Sequence, residues 1–324
     1  MRALLLIPFT ALYYLIIFIW DIYWRVQKPV RVSAKVISVG NLAVGGSGKT
    51  SLVAYIAQNM LANGKKVAVV ARGYGRHENK PIKIEGSEKL DWRNAGDEPA
   101  MLTRMLPGLV IYIDSSKTKA AQKAAKDGFE YIIIDDGFQH RGLYRDIDIV
   151  CLISTKPFGN GFLLPSGILR EPNKALNRAD IVVAFGNSEL EQSKDMRKPL
   201  YRALKKVYGI QDPHGITVSL SGKTVLAFCG LGNPESFRDS LIESGCTIGE
   251  FIKYRDHYNY RPGDIARILG KAQTVGADAI ITTLKDFVKI ELLWPKDKSI
   301  YTLAVDIELE KSEEFFKLLY AARV

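Results

Sequence analysis

KVISVGNLAVGGSGKTSLVAYIAQNM, residues Lys35–Met60, decides the fold class. Its first five residues form a β-branched run, Lys35–Val39, that reads as a buried strand. Its end, Thr50–Asn63, groups Leu52, Val53, Ile56, Ala57, Met60 and Leu61 on one helical face, and Gly64 stops the helix. Between them lies Gly45-Gly46-Ser47-Gly48-Lys49-Thr50. A glycine-rich loop between a strand and a helix is a phosphate-binding loop. Its backbone N–H groups turn inward around phosphate oxygens, and the helix N-terminus adds its dipole. Residues Ala43, Val44, Gly45, Gly46, Ser47, Gly48, Lys49 and Thr50 are therefore the candidate nucleotide cradle. Lys49 would reach the β/γ-phosphates, and the Thr50 hydroxyl would ligate Mg²⁺. The general pattern has glycine where Ala43 stands, a departure that leaves the anion site intact.

Further strands are expected at Lys66–Ala71, Leu109–Ile113, Glu130–Ile134, Ile147–Ile153 and Ile181–Phe185. Their continuous apolarity suits a parallel sheet covered on both faces. Ile132-Ile133-Ile134 runs into Asp135-Asp136-Gly137, an apolar strand ending in two carboxylates. Side chains alternate along a strand, so one carboxylate would face the Mg²⁺ shell and the other a protein partner. Gly96-Asp97-Glu98-Pro99 puts two more carboxylates at the start of a helix, Glu98–Met105, where capping alone would account for Asp97. A turn-rich stretch, Gln211–Gly215, precedes a second set of elements. These are strands at Thr224–Cys229, Thr247–Lys253, Ala279–Thr282 and Ile300–Val305, a helix at Glu235–Ser244, and a last helix at Ser312–Ala322. The expected architecture is α/β: a P-loop NTPase-like, mostly parallel sheet with helices on both faces, and a second, smaller α/β domain. The predicted division is a membrane-associated helix at 1–32, a core at 33–212, the smaller domain at 213–306 and a C-terminal helix at 307–324.

Ala3–Trp20 is eighteen residues without a charge, at the lower limit for spanning about 30 Å of hydrocarbon. Tyr13, Tyr14, Trp20, Tyr23 and Trp24 suit the headgroup level, and Arg25, Lys28, Arg31 and Lys35 follow. No small-x-small cleavage site follows the run, so the segment is expected to stay attached. Positive charges after it would keep the rest of the chain on the cytoplasmic side of an anionic membrane. The formal net charge is +10 over 324 residues. By itself it fits nucleic acid, membrane or a phosphorylated substrate, but no aromatic-basic RNA motif accompanies it. Cys151, Cys229 and Cys246 stand too far apart for a metal knuckle or a disulfide framework.

Several motifs in this order resemble the tetraacyldisaccharide 4′-kinase family. They are Val39-Gly40-Asn41 running into Gly45–Thr50, Arg72-Gly73-Tyr74-Gly75-Arg76, Gly96–Pro99, Asp135-Asp136-Gly137-Phe138-Gln139-His140, Leu164–Gly167 with Leu169–Pro172, Asp256-His257 and Thr282–Asp286. Ser51 and Ser166 depart from the family's usual Pro and Ala. The resemblance implies transfer of the ATP γ-phosphoryl group to the 4′-hydroxyl of an acylated glucosamine disaccharide 1-phosphate, giving lipid IVA and ADP, at the cytoplasmic face of a bacterial inner membrane. It implies Asp97 as base with His257 as its partner, Glu98, Asp135 and Asp136 near Mg²⁺, and His140 and Arg170 near the phosphates or the acceptor. Arg72 and Arg76 would meet the anionic substrate head. No nucleic acid and no obligate protein partner is expected. A membrane-targeted ATPase switch of the MinD/ParA kind is the rival reading; it would carry lysine where Val44 stands.

Overall fold

The computed structural model describes residues 6–78, 80–86, 90–190 and 198–321. Ala3–Leu5 of the N-terminal apolar run and Ala322 of the last predicted helix lie outside them. In chain order the elements are α1 (Ile7–Val26), β1 (Lys35–Asn41), α2 (Lys49–Ala62), β2 (Val67–Ala71), β3 (Ile82–Ile84), α3 (Trp92–Ala95), α4 (Asp97–Met105), β4 (Val110–Ile113), α5 (Lys117–Lys126), β5 (Tyr131–Asp135), β6 (Ile147–Ile153) and β7 (Ile181–Phe185). There follow β8 (Leu200–Gln211), β9 (Thr217–Val218), β10 (Thr224–Cys229), α6 (Pro234–Glu243), β11 (Thr247–Lys253), α7 (Pro262–Thr274), β12 (Ala279–Thr283), α8 (Leu284–Ile290), β13 (Tyr301–Leu309) and α9 (Ser312–Ala321).

The strands form one continuous sheet in the order β11-β10-β12-β13-β8-β7-β6-β1-β5-β2-β4-β3, with β9 paired to β8. From β4 to β8 the neighbours run parallel, as they do from β11 to β13. The long antiparallel pair of β8 and β13 joins the two parallel parts. β1, β2 and the chain-core stretch of β5 are buried on both faces, the condition that their unbroken apolar sequences anticipate. Leu52, Val53, Ile56, Ala57 and Met60 of α2 pack with Ile37, Val39, Val69 and Ile133 on one face. Each such large side chain contributes about 1.5–3 kcal/mol by leaving water. Ala120, Ala121 and Ala124 of α5 cover the opposite face against Val36, Val70 and Ile134. Phe315, Phe316 and Leu319 bring α9 back onto the α2 face, and the buried Lys35 donates to the Tyr320 carbonyl at 3.1 Å.

β8 carries no strand signature in the sequence. Its sequence mixes Arg202, Lys205 and Lys206 with apolar residues because much of it is only half covered. Gln211–Gly215 forms the turn from β8 into β9, with the Gly215 N–H donating to the Asp212 carbonyl at 3.0 Å. α1 buries none of its residues, and Phe9, Leu12, Leu15, Phe18 and Ile19 are exposed. It touches the rest of the chain through Tyr13, which packs against the cluster of Leu42, Phe138 and Leu169, and through polar contacts. Thr10 Oγ1 donates to Ser166 Oγ at 2.7 Å, Tyr13 donates to the Arg170 carbonyl at 3.0 Å, and Asp21 pairs with Arg141 at 2.7 Å. Among the described residues, α1 is the one helix long and apolar enough to cross a membrane.

Candidate active site

The carboxyl ends of the parallel strands carry the loops that build the site, the edge where open α/β sheets place their ligands. The loop after β1 enters α2 through Gly48, whose φ of +78° lies in the left-handed region. A side chain at that position would also meet the Phe185 ring at 2.3 Å, so backbone and packing both require glycine. Asn41 Nδ2 donates to Ser47 Oγ at 2.8 Å, and the Val44 N–H donates to the Ile168 carbonyl at 2.8 Å, which tie the loop at two points. Val44, Gly45 and Gly46 remain exposed. Lys49 opens α2, and its Nζ lies 3.6 Å from Asp136 Oδ1.

The two carboxylates at the end of β5 diverge: Asp135 is the last residue of the strand, and Asp136 has already left it. Asp136 adopts φ +50° and turns to cations: Arg170 reaches both its oxygens at 2.8 and 3.0 Å, with Lys49 beyond. Burial works against its charge, but Lys49 and Arg170 outweigh it and hold the carboxyl below its usual range. Asp135 is buried, and its Oδ1 meets no partner. Burial first, and the Glu98 charge second, push its carboxyl up to about 7. Glu98 is raised as well, chiefly by burial and then by Asp97. Buried carboxyls that resist ionisation are the complement of a bound cation. Among the described residues no three His, Cys, Asp or Glu side chains stand together as a ready-made metal cage. A site of one or two carboxylates completed by phosphate oxygens and water is what Mg²⁺ ordinarily takes, so Asp135, Glu98 and Thr50 fit it.

Asp97 and His257, 160 residues apart, meet at 2.8 Å between Oδ2 and Nδ1. Asp97 begins α4 and is buried, whereas His257 lies in the loop after β11 with φ +55°. Burial opposes ionisation of Asp97, but the His257 hydrogen bond and Lys289 prevail, and its carboxyl falls to about 2. An ionised carboxylate only accepts, so Nδ1 donates, and Nε2 stands 3.4 Å from Lys285 Nζ. Lys285 also donates to Asp256 Oδ1 at 2.8 Å.

His140 is not part of this pair. Its Nε2 lies 2.9 Å from Thr118 Oγ1 on α5, and burial followed by the Lys117 charge pushes its imidazole down to about 4. Arg76 donates to the Lys80 carbonyl of its own loop at 2.7 Å, while Arg72 is exposed. Three lysines had no role assigned from sequence: Lys117, Lys285 and Lys289. Lys117 is buried and donates to the main-chain carbonyls of Asp135 and Asp136 at 2.8 and 2.6 Å, bracing the end of β5. The signal that would have found Lys289 is its place inside the apolar run Phe287–Ile290. All three cysteines are free and buried.

Between α1 and the body of the protein lies a cavity of about 310 Å³. Tyr13, Ile17 and Trp20 of the helix line it on one side, and Val44, Gln139 and Arg170 of the nucleotide face on the other. A neighbouring cavity of about 530 Å³ sets Tyr14, Phe18 and Trp24 against Arg141, Arg145 and Arg178. Asp21 and Glu171 line both cavities as well, Asp21 paired with Arg141 and Glu171 with Arg178, each at 2.7 Å.

A family model described as Tetraacyldisaccharide-1-P 4′-kinase matches residues 2–323. A Syntrophus aciditrophicus protein named tetraacyldisaccharide 4′-kinase is 36% identical over 344 residues, covering 98% of this chain and 92% of that protein. A Geobacter metallireducens protein of the same name is 37% identical over 288 residues, covering 86% and 85%. The crystal structure of LpxK from Aquifex aeolicus, an "apo" form in complex with ATP, superposes with a TM-score of 0.81 at 31% identity and covers 99% of each chain.

Proposed function

The chain belongs to the tetraacyldisaccharide-1-phosphate 4′-kinase family, and from that premise we propose that it transfers the γ-phosphoryl group of ATP to the 4′-hydroxyl of an acylated glucosamine disaccharide 1-phosphate, a lipid A precursor. The acceptor oxygen forms the new bond to phosphorus, the bond from phosphorus to the ADP oxygen breaks, and the hydroxyl proton passes to Asp97. Such transfer depends on position and charge neutralisation more than on base strength, because the proton leaves late. A carboxylate held low near 2 is sufficient under those conditions.

The remaining roles follow from the contacts. The loop from Ala43 to Thr50 cradles the phosphates. Lys49 and Arg170, which now share Asp136, supply positive charge where the γ-phosphate would lie. Asp135 and Thr50, with Glu98 beside them, would hold Mg²⁺, which when bound neutralises phosphate charge. Asp136 instead orients the two cations. Residues 33–212 act as the nucleotide lobe, and 213–306 as the lobe that delivers His257. α1 and its basic flank attach the enzyme to the cytoplasmic face of the bacterial inner membrane, where the acyl chains of the acceptor lie. The exposed apolar side chains of α1 and the cavities beneath it support this attachment.

The observation that carries the proposal is the contact of His257 with Asp97 beside the Lys49–Asp136 pair, an acid–base group next to a phosphate loop. The purified enzyme in detergent should convert ATP to ADP in step with formation of a phosphorylated lipid, and only when the acylated disaccharide is supplied. ATP hydrolysis with no lipid product would sink the proposal and favour a nucleotide switch.

A further inference from the structure

α8 carries two lysines one turn apart on the face turned towards the Asp97–His257 pair. Lys285 contacts Asp256 and His257 and is partly exposed. Lys289 is different: its side chain has no exposure at all, and its Nζ lies 3.4 Å from Asp97 Oδ2 and 3.4 Å from the Tyr258 carbonyl. Burying an ammonium costs several kcal/mol, and replacing a whole buried ion pair by apolar side chains of similar volume is often neutral or stabilising. Stability therefore gives a weak account of a lysine at this position.

Geometry gives a stronger one. The Lys289 carbonyl accepts from Trp92 Nε1 at 3.1 Å, Val288 packs with Trp92 and Ala100, and Glu291 pairs with Arg104 at 2.9 Å. α8 is thus fastened along its length to α3 and α4, and α4 begins with Asp97. Asp97 Oδ1 is taken by the Glu98 N–H at 3.0 Å, which leaves Oδ2 to be shared by His257 and Lys289. One oxygen of the carboxylate is set by its own helix, and the other by two groups from the second half of the chain.

We propose that Lys289 is a positioning residue for phosphoryl transfer, acting through Asp97: it holds Oδ2 in the orientation that meets His257, so the pair is complete only when α8 is docked on α4. This rests on the assignment of Asp97 as the base.

The test is a double-mutant cycle on the full chain in detergent, with steady-state kinetics for ATP and acylated disaccharide and a separate measurement of nucleotide affinity. Lys289→Met should lower kcat by about 10- to 100-fold while ATP affinity stays within about threefold. Lys289→Arg should recover part of that loss. In an Asp97→Asn background, adding Lys289→Met should cost less than about twofold more, because the group it acts through has gone. A parental kcat in Lys289→Met, or a loss of equal size with and without Asp97, would overturn the proposal. If Lys289→Met fails to bind nucleotide, the same cycle with Lys289→Gln decides by the same criteria. Parental activity in Asp97→Asn would remove the base assignment itself. An inactive Asp97→Asn beside a fully active Lys289→Met would remove only the role of Lys289.

Discussion

Replacing Asp135 with asparagine should make the nucleotide-free protein more stable while it damages catalysis. The Asp135 carboxyl is buried, its Oδ1 has no partner, and its pKa stands at about 7 against an ordinary 3.8. A folded-state pKa above the unfolded one means that the folded protein binds more protons between the two values. Stability from this group therefore falls as pH rises from about 4 to about 7, and stays low above that. At 1.36 kcal/mol per unit the full penalty is about 4 kcal/mol at pH 8. A buried amide lacking one partner returns about 1–3 kcal/mol of it, so Asp135→Asn should gain about 1–3 kcal/mol there. For a chain of this length that corresponds to a rise in Tm of about 2–5 °C. The assay is thermal unfolding of parent and variant in detergent with chelator at pH 5 and pH 8. His140, pushed down to about 4, favours the folded state increasingly as pH rises from about 4 to 6.5. That trend runs opposite to Asp135, but it is common to both proteins and cancels in their difference. The difference should widen by about 2–3 kcal/mol between the two pH values, and Mg²⁺ with ATP should then stabilise the parent more than the variant. A variant no more stable than the parent at pH 8, or a gap that does not change with pH, would refute a strained carboxylate at the end of β5.

Gly48→Ala should cost about 1–2 kcal/mol for the left-handed backbone and about 1–3 kcal/mol for the contact with Phe185; a lower Tm with a raised KM for ATP would check it, and an unchanged KM would mean the loop tolerates the shift. Asp97→Ala should lower kcat by about 10²-fold or more with nucleotide affinity retained, measured by steady-state kinetics and direct binding. Arg170→Ala should leave Asp136 to bind Lys49 alone and raise the KM for ATP by about tenfold, roughly the value of one charge-assisted hydrogen bond; equal kinetics would place Arg170 outside the nucleotide site. Deleting residues 1–26 should move the protein from the membrane to the soluble fraction and raise the KM for the lipid acceptor while KM for ATP is kept. Unaltered partition would remove α1 as the anchor.

The parts of this fold that are legible in the sequence are those where one physical requirement fixes the residues. A strand buried on both faces must be apolar throughout, so β1, β2, β5, β6 and β7 announce themselves, and a phosphate loop needs glycine where φ is positive and a cation at the helix start. β8 escapes because a strand half open to solvent, parallel to β7 on one side and antiparallel to β13 on the other, accepts Lys205 and Lys206 among its apolar residues and so carries a weaker pattern. At the site, Lys49, Asp135 and Asp136 come from one side of the sheet and declare themselves by their strand and loop context. Asp97 and His257 do not: a carboxylate at a helix start has a sufficient explanation in capping, and a histidine beside an aspartate in a loop has several. Only the segments that follow β11 and β12 in the second half of the chain bring Asp256, His257 and Lys285 to the Asp97 site. Lys289 is the extreme case. It sits within the apolar run Phe287–Ile290, where a lysine looks like a mistake until the tertiary structure supplies the buried carboxylate that gives it a reason to be there.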